Sequence, residues 1–150
     1  MKPYYLTSSL PYTNAYPHIG FALEIIQADV LARWHRQKGE DVFFLTGTDE
    51  HGSKIAKAAA DAGVLPQEFT DKIASRFQEL TKVLTISNDD FIRTTDQERH
   101  WPAVREVWDR LYKNGDLEKR TYTGLYCAGC EAFITEKELV VEDALVEEFE

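Results

Sequence analysis

Three short stretches of this chain carry residues whose types and spacing could do chemistry. The first runs from Leu10 to Phe21 and reads Leu-Pro-Tyr-Thr-Asn-Ala-Tyr-Pro-His-Ile-Gly-Phe. Its His18 and Gly20 fall at the expected start of a long helix, where unpaired N–H groups and the positive dipole end form a seat for phosphate. Histidine can donate to phosphate oxygens, and glycine lets a flat ring approach the backbone. The alternative is an ordinary strand-to-helix turn whose histidine caps or packs. The second stretch, Gly47-Thr48-Asp49-Glu50-His51-Gly52, places carboxylates between two glycines. A buried Asp49 could hold a substrate ammonium by a charge-assisted hydrogen bond, or serve only to favour a helix N-terminus. The third, Cys127-Ala128-Gly129-Cys130, is half of a tetrahedral zinc site. No further Cys or His follows it, so the ligand set is incomplete; a redox pair is the other reading, although the thioredoxin-like setting is missing.

The elements that must position these residues follow from periodicity. Lys2 to Ser9 reads as a buried strand, and Pro11 to Pro17 as a loop. His18 to Lys38 reads as a helix with Leu23, Ile26, Val30 and Trp34 at near-helical spacing and Gly39 as its stop. Asp41 to Thr46 is a continuous apolar run suited to a parallel strand covered on both faces. Strand, helix, strand in about 45 residues is a βαβ unit, the first step of a doubly wound α/β sheet in which ligands bind beyond the carboxyl ends of the strands. Thr48 or Asp49 offers an N-cap for a helix over Ser53 to Ala62, closed by Gly63. Pro66 opens another helix with Phe69, Ile73, Phe77, Leu80 and Leu84 on one face. Asp90 to Thr94 reads as a short strand. A last helix, from about Gln97 to Lys113, is expected to pack Trp101, Val104, Trp108 and Leu111 inward and to stop at Gly115. Beyond it, Leu117 to Tyr126 has β-type residues.

The composition, 43% hydrophobic and 12% aromatic over 150 residues, suits a globular chain with a proper core. No apolar run approaches the roughly 20 residues of a membrane helix, and the N-terminus lacks a signal-peptide core. Two cysteines exclude a disulfide framework. Residues 131–150 hold eight acidic residues against Lys137 alone, so most of the formal charge of −9 lies there. Nothing in that balance supports a nucleic-acid binder that works by charge alone. The chain shows fewer strands than a doubly wound domain normally needs, and Val146 to Glu150 carry no terminating signal, which reads as a piece of a longer protein.

Taken together, the motifs resemble the class I aminoacyl-tRNA synthetases, and within them the methionyl enzymes. Leu10 to Asn14 followed by His18-Ile19-Gly20 is similar to the family's HIGH signature. Phe44 to Gly52 resembles the methionyl version of the second strand. Asp89 to Thr95 resembles the entry to the connective domain, and Gly124 to Glu131 with Thr135-Glu136 resembles the zinc-knuckle insertion. The resemblance implies a Rossmann-type parallel sheet over 1–115, the first half of a catalytic domain, and the start of a connective-peptide or zinc-knuckle insertion over 116–150. It implies activation of methionine with ATP, accompanied by Mg, to methionyl-adenylate, then transfer to tRNA(Met), in the cytoplasm and without a membrane. In that scheme His18 and Gly20 are catalytic, and Asn14, His18, Gly20 and Phe21 meet ATP. Ser9, Leu10, Tyr12 and Asp49 form the methionine site, and Cys127 and Cys130 are candidate zinc ligands. The chain departs from the pattern at Phe21, where the signature has its second histidine. The KMSKS signature and the anticodon-binding domain are absent, so these 150 residues alone are not expected to complete a catalytic cycle. A HIGH-type nucleotidylyltransferase and a non-catalytic synthetase-like fragment are the competing readings.

Overall fold

The computed structural model describes residues 2–127 and 129–134. Three parallel strands, β1 (Pro3–Thr7), β2 (Asp41–Thr48) and β3 (Asp90–Arg93), lie in the order β1-β2-β3. Their register pairs Leu6 with Phe44 and Thr48 with Arg93. Helix α1 (Ile19–Gln37) crosses from β1 to β2, and α2 (Ser53–Asp61) and α3 (Pro66–Val83) cross from β2 to β3. Helix α4 (Trp101–Asn114) follows. Because the strands are parallel, the loops after Thr7, Thr48 and Arg93 all emerge at one end of the sheet, the end at which open α/β sheets bind ligands.

Glycines in the left-handed region stop the helices where the sequence predicts: Gly39 (φ 77°), Gly63 (φ 70°) and Gly115 (φ 81°). The start of α2 differs. Its N-cap is Gly52, with no side-chain cap, because Thr48 is committed to the ladder with β3 and Asp49 to a bridge with Tyr12. The start of α4 also shifts, from Gln97 to Trp101. Asp96 instead accepts the N–H groups of Glu98 (3.0 Å) and Arg99 (2.9 Å) in a turn, and Pro102 then takes a place in the first helical turn.

The core joins Phe21, Ile25, Ala28 and Ala32 of α1 to Phe44 of β2 and to Ile73 and Phe77 of α3. This corrects the face expected for α1. Leu23, Ile26, Val30 and Trp34 lie outside the core, 41–59% exposed. The helix carries apolar residues on two faces, and the one with small alanines lets the helix approach the sheet. The expected inward packing of α4 is corrected too. None of its residues is buried, and Trp108 is 61% exposed. Trp101 is half-buried and donates its indole N–H to the Thr94 carbonyl (3.0 Å).

The chain falls into two compact units, Met1–Glu118 and Lys119–Glu150. In the second, β4 (Leu125–Cys127) and β5 (Ala132–Ile134) form an antiparallel pair, with the turn residue Glu131 at φ 53°. Residues 117–124, expected as β-type, form no regular strand. Thr135-Glu136 and the acidic segment beyond lie outside the described residues. Among the described residues no helix is long and apolar enough to cross a membrane.

Candidate active site

The loop after β1 is held in place by backbone and side chain together. Ser8 extends the pairing through its N–H to the Leu45 carbonyl (3.2 Å), and its hydroxyl meets that of Thr46 (2.7 Å). Ser9 gives both its N–H and its hydroxyl to the Glu24 carboxylate of α1 (2.7 and 2.8 Å). Farther on, Asp49 donates its N–H to the Pro11 carbonyl (2.9 Å) and accepts the Thr13 N–H (3.1 Å). Tyr12 is thereby placed against Asp49, from the loops after β1 and β2. Asp49 itself is half-buried.

At the start of α1, His18 is the N-cap residue and its Nδ1 accepts the Gly20 N–H (3.0 Å). A ring nitrogen that accepts is unprotonated, so the neutral imidazole carries its proton on Nε2, available to a ligand oxygen. The absence of a side chain at residue 20 is required by this arrangement, since a Cβ there would stand 2.8 Å from His18 Cε1 and 2.9 Å from Nδ1. Beside it opens a pocket of about 360 Å³, walled by Pro11, Tyr12, Asn14, Tyr16, His18 and Phe21, with Phe77 of α3. Thus Tyr12, Asn14, His18 and Phe21 share one cavity. Phe21 is 5% exposed, and its ring meets Phe77 edge to face. Leu10, half-buried, and Ser9 lie in the same loop but do not wall this pocket.

The carboxylate buried at the end of β2 is that of Glu50, not Asp49. The Glu50 side chain has 0% exposure. Its Oε1 accepts from Arg93 Nε (2.7 Å) and the Thr48 hydroxyl (2.6 Å), and its Oε2 from Arg93 Nη2 (2.8 Å) and the Thr95 hydroxyl. Arg93 also donates to Asp71 of α3 (2.6 Å). The hydrogen bonds that Arg93 donates to Glu50 raise its guanidinium above its ordinary range against the opposing effect of burial, and Asp71 adds to the rise. Sequence reasoning missed this network. Its only signal was an acid adjacent to Asp49 and a single arginine at the end of the next strand.

In the second unit, the Cys130 N–H donates to Cys127 Sγ (3.3 Å). Two thiolates fit half of a zinc site. Among the described residues no group of three or more metal-binding side chains forms.

The family model described as tRNA synthetases class I (M) matches residues 4–144. A methionine–tRNA ligase of Thermotoga maritima is 50% identical over 139 residues, covering 93% of this chain and 22% of that protein. One from Clostridium perfringens is 47% identical, covering 93% and 21%. Among solved structures, a Mycobacterium tuberculosis methionyl-tRNA synthetase in complex with methionyl-adenylate superposes with a TM-score of 0.90 at 45% identity, covering 95% of this chain and 28% of that one. The chain thus spans about a fifth of the length of the two curated relatives. With the parallel sheet, the histidine-capped helix and a match over nearly its whole length, the chain belongs to the family of tRNA synthetases class I (M).

Proposed function

We propose that this chain is part of a methionine–tRNA ligase that activates methionine with ATP and transfers it to tRNA(Met) in the cytoplasm. Residues 1–115 form the first half of the catalytic domain, and residues 116–150 begin the connective insertion. The observation that carries the reading is the His18 geometry. With Nδ1 occupied by the Gly20 N–H, Nε2–H is the free donor at the N-terminus of α1, beside a pocket rimmed by Tyr12 and Asn14. The methionine carboxylate attacks the α-phosphorus of ATP. A P–O bond forms, the bond to the β-phosphate bridge breaks, and its electron pair leaves with pyrophosphate. Such a displacement needs positioning and charge stabilisation, which the His18 donor and the helix N-terminus supply as charge builds on the leaving group. Gly20 leaves the ring room to do so, and Asn14 and Phe21 line the nucleotide side. Asp49 accepts the methionine ammonium, and Ser9, Leu10 and Tyr12 wall the side-chain site, where a flexible thioether suits apolar and aromatic contacts.

Mg bound with ATP would neutralise phosphate charge. Cys127 and Cys130 would supply two thiolates to zinc, its other ligands coming from elsewhere. The superposition on a methionyl-adenylate complex supports the substrate assignment, and the place of Asp49 just past β2, bridged to Tyr12 of the loop after β1, supports its role.

The test is amino-acid-dependent ATP–pyrophosphate exchange by the full-length protein. Methionine is expected to support exchange; exchange only with another amino acid overturns the reading. Asp49→Ala is expected to raise the methionine KM by on the order of 10- to 100-fold, the scale of one lost charge-assisted hydrogen bond at about 1.5–3 kcal/mol.

A further inference from the structure

We propose that Glu50 and Arg93 are positioning residues for Asp49: their ion pair holds the 49–50 peptide where the Asp49 carboxylate can meet a substrate ammonium. The inference rests on the reading of Asp49 given above. The Asp49 main chain is tied on one side to the loop after β1, through Pro11 and Thr13. On the other side Glu50 is tied three ways. Its N–H donates to the Thr94 hydroxyl (2.8 Å), its carboxylate receives the Arg93 fork, and the hydroxyls of Thr48 and Thr95 fill its remaining acceptor positions. Arg93 continues to Asp71, so the clamp reaches α3 as well as the β3 end.

A buried ion pair of this kind is a weak source of stability, because desolvation of both ions offsets their attraction. What it supplies is geometry. The planar guanidinium meets the carboxylate through two parallel bonds, which a lysine cannot reproduce. The residue it immobilises is the immediate neighbour of Asp49, which is itself bridged to Tyr12 of the loop after β1. A site that grips a small ammonium depends on such support, since a shift of about 1 Å in a gripping group forfeits much of its contact.

The experiment uses the full-length enzyme in pyrophosphate exchange and reads the KM for methionine and for ATP separately, for Asp49→Asn, Arg93→Lys, their double variant and Asp71→Asn. Arg93→Lys is expected to raise the methionine KM about tenfold and leave the ATP KM within about twofold. The double variant is expected to be no worse for methionine than Asp49→Asn alone, because Arg93 acts through Asp49. Asp71→Asn, at a half-exposed outer partner, gives a smaller rise in the same constant and covers the case in which Arg93→Lys does not fold. Equal losses for methionine and ATP, or losses that add in the double variant, overturn the proposal. If Asp49→Asn leaves the methionine KM unchanged, the site reading itself fails. If Asp49→Asn raises it while Arg93→Lys and Asp71→Asn do not, only the positioning role fails.

Discussion

Phe21 stands edge-on to Phe77, ring centroids 5.0 Å apart and planes 85° from parallel, at the point where the core becomes the wall of the pocket. The position where the family signature has its second histidine is therefore an internal one in this chain. Its side chain turns toward α3 and joins Ile25, Phe44 and Ile73 in one apolar cluster. The donor missing from the signature has been exchanged for an aromatic pair, of a kind worth about 0.5–1.5 kcal/mol beyond the area it buries.

Phe21→His is accordingly expected to harm the protein rather than restore a lost contact. An imidazole in that place loses the edge-to-face pair and buries polar nitrogens, at a cost of about 1–3 kcal/mol. Urea unfolding should show the loss, and the ATP KM in pyrophosphate exchange should stay level or rise. An improved ATP KM with unchanged stability would show that the signature's histidine contact was simply missing.

Gly20→Ala tests the neighbouring device. The added methyl would stand under 3 Å from the His18 ring, so the imidazole must leave its N-cap bond to Gly20. The expected outcome is a loss of about 0.5–2 kcal/mol of stability, the range for a lost cap, together with a raised ATP KM. The methionine KM should change little. A variant with wild-type ATP kinetics would separate the His18 orientation from nucleotide binding.

The βαβ order was legible because Tyr4 to Leu6 and Val42 to Leu45 are apolar runs and Gly39 punctuates the helix between them. The buried face of α1 was not, because Leu23, Ile26, Val30 and Trp34 repeat at helical spacing as well as Phe21, Ile25, Ala28 and Ala32 do. Only the approach of the sheet selects the second set. The same limit applies to α4, whose amphipathic pattern says which face is apolar and not what covers it. At the site, His18 and Gly20 could be read from their place before a helix. The division of labour between Asp49 and Glu50 could not, since it depends on Thr48 pairing with Arg93, residues 45 positions apart in sequence and adjacent in the sheet.

A pair of truncations measures that difference between pattern and burial. Phe44 is fully buried in the core, so Phe44→Ala should cost about 3–5 kcal/mol in this chain. Trp108 is a larger residue on an apolar stripe but is mostly exposed, so Trp108→Ala should lie within about 0.5 kcal/mol of the parent. Comparable losses in urea unfolding would mean that α4 is packed after all.

Asp29 gives the fold a defined acid sensitivity. Burial in α1 pushes its carboxyl up, but hydrogen bonds from the Ser87 hydroxyl (2.5 Å), from Arg33 (2.6 Å) and from the Ser87 N–H (2.7 Å) outweigh that and hold it below its ordinary value of 3.8. A carboxyl whose folded value is depressed binds protons more readily when unfolded. Its contribution to stability is therefore complete above the unfolded value and is lost as pH falls through the lower folded value. Asp71, held low by Arg93 and Gln67 against its own desolvation, acts in the same direction. The contribution of Asp29 should thus be flat above about pH 5 and fade below pH 4, where the unfolded state takes up the proton first. Asp29→Asn, which keeps the shape but weakens three charge-assisted bonds, should cost about 1.5–3 kcal/mol near neutrality and remove part of the acid slope. Urea midpoints at pH 7 and at about pH 3 for both proteins check this: the gap between them should narrow at the lower pH, and a gap that widens would reverse the sign of the linkage.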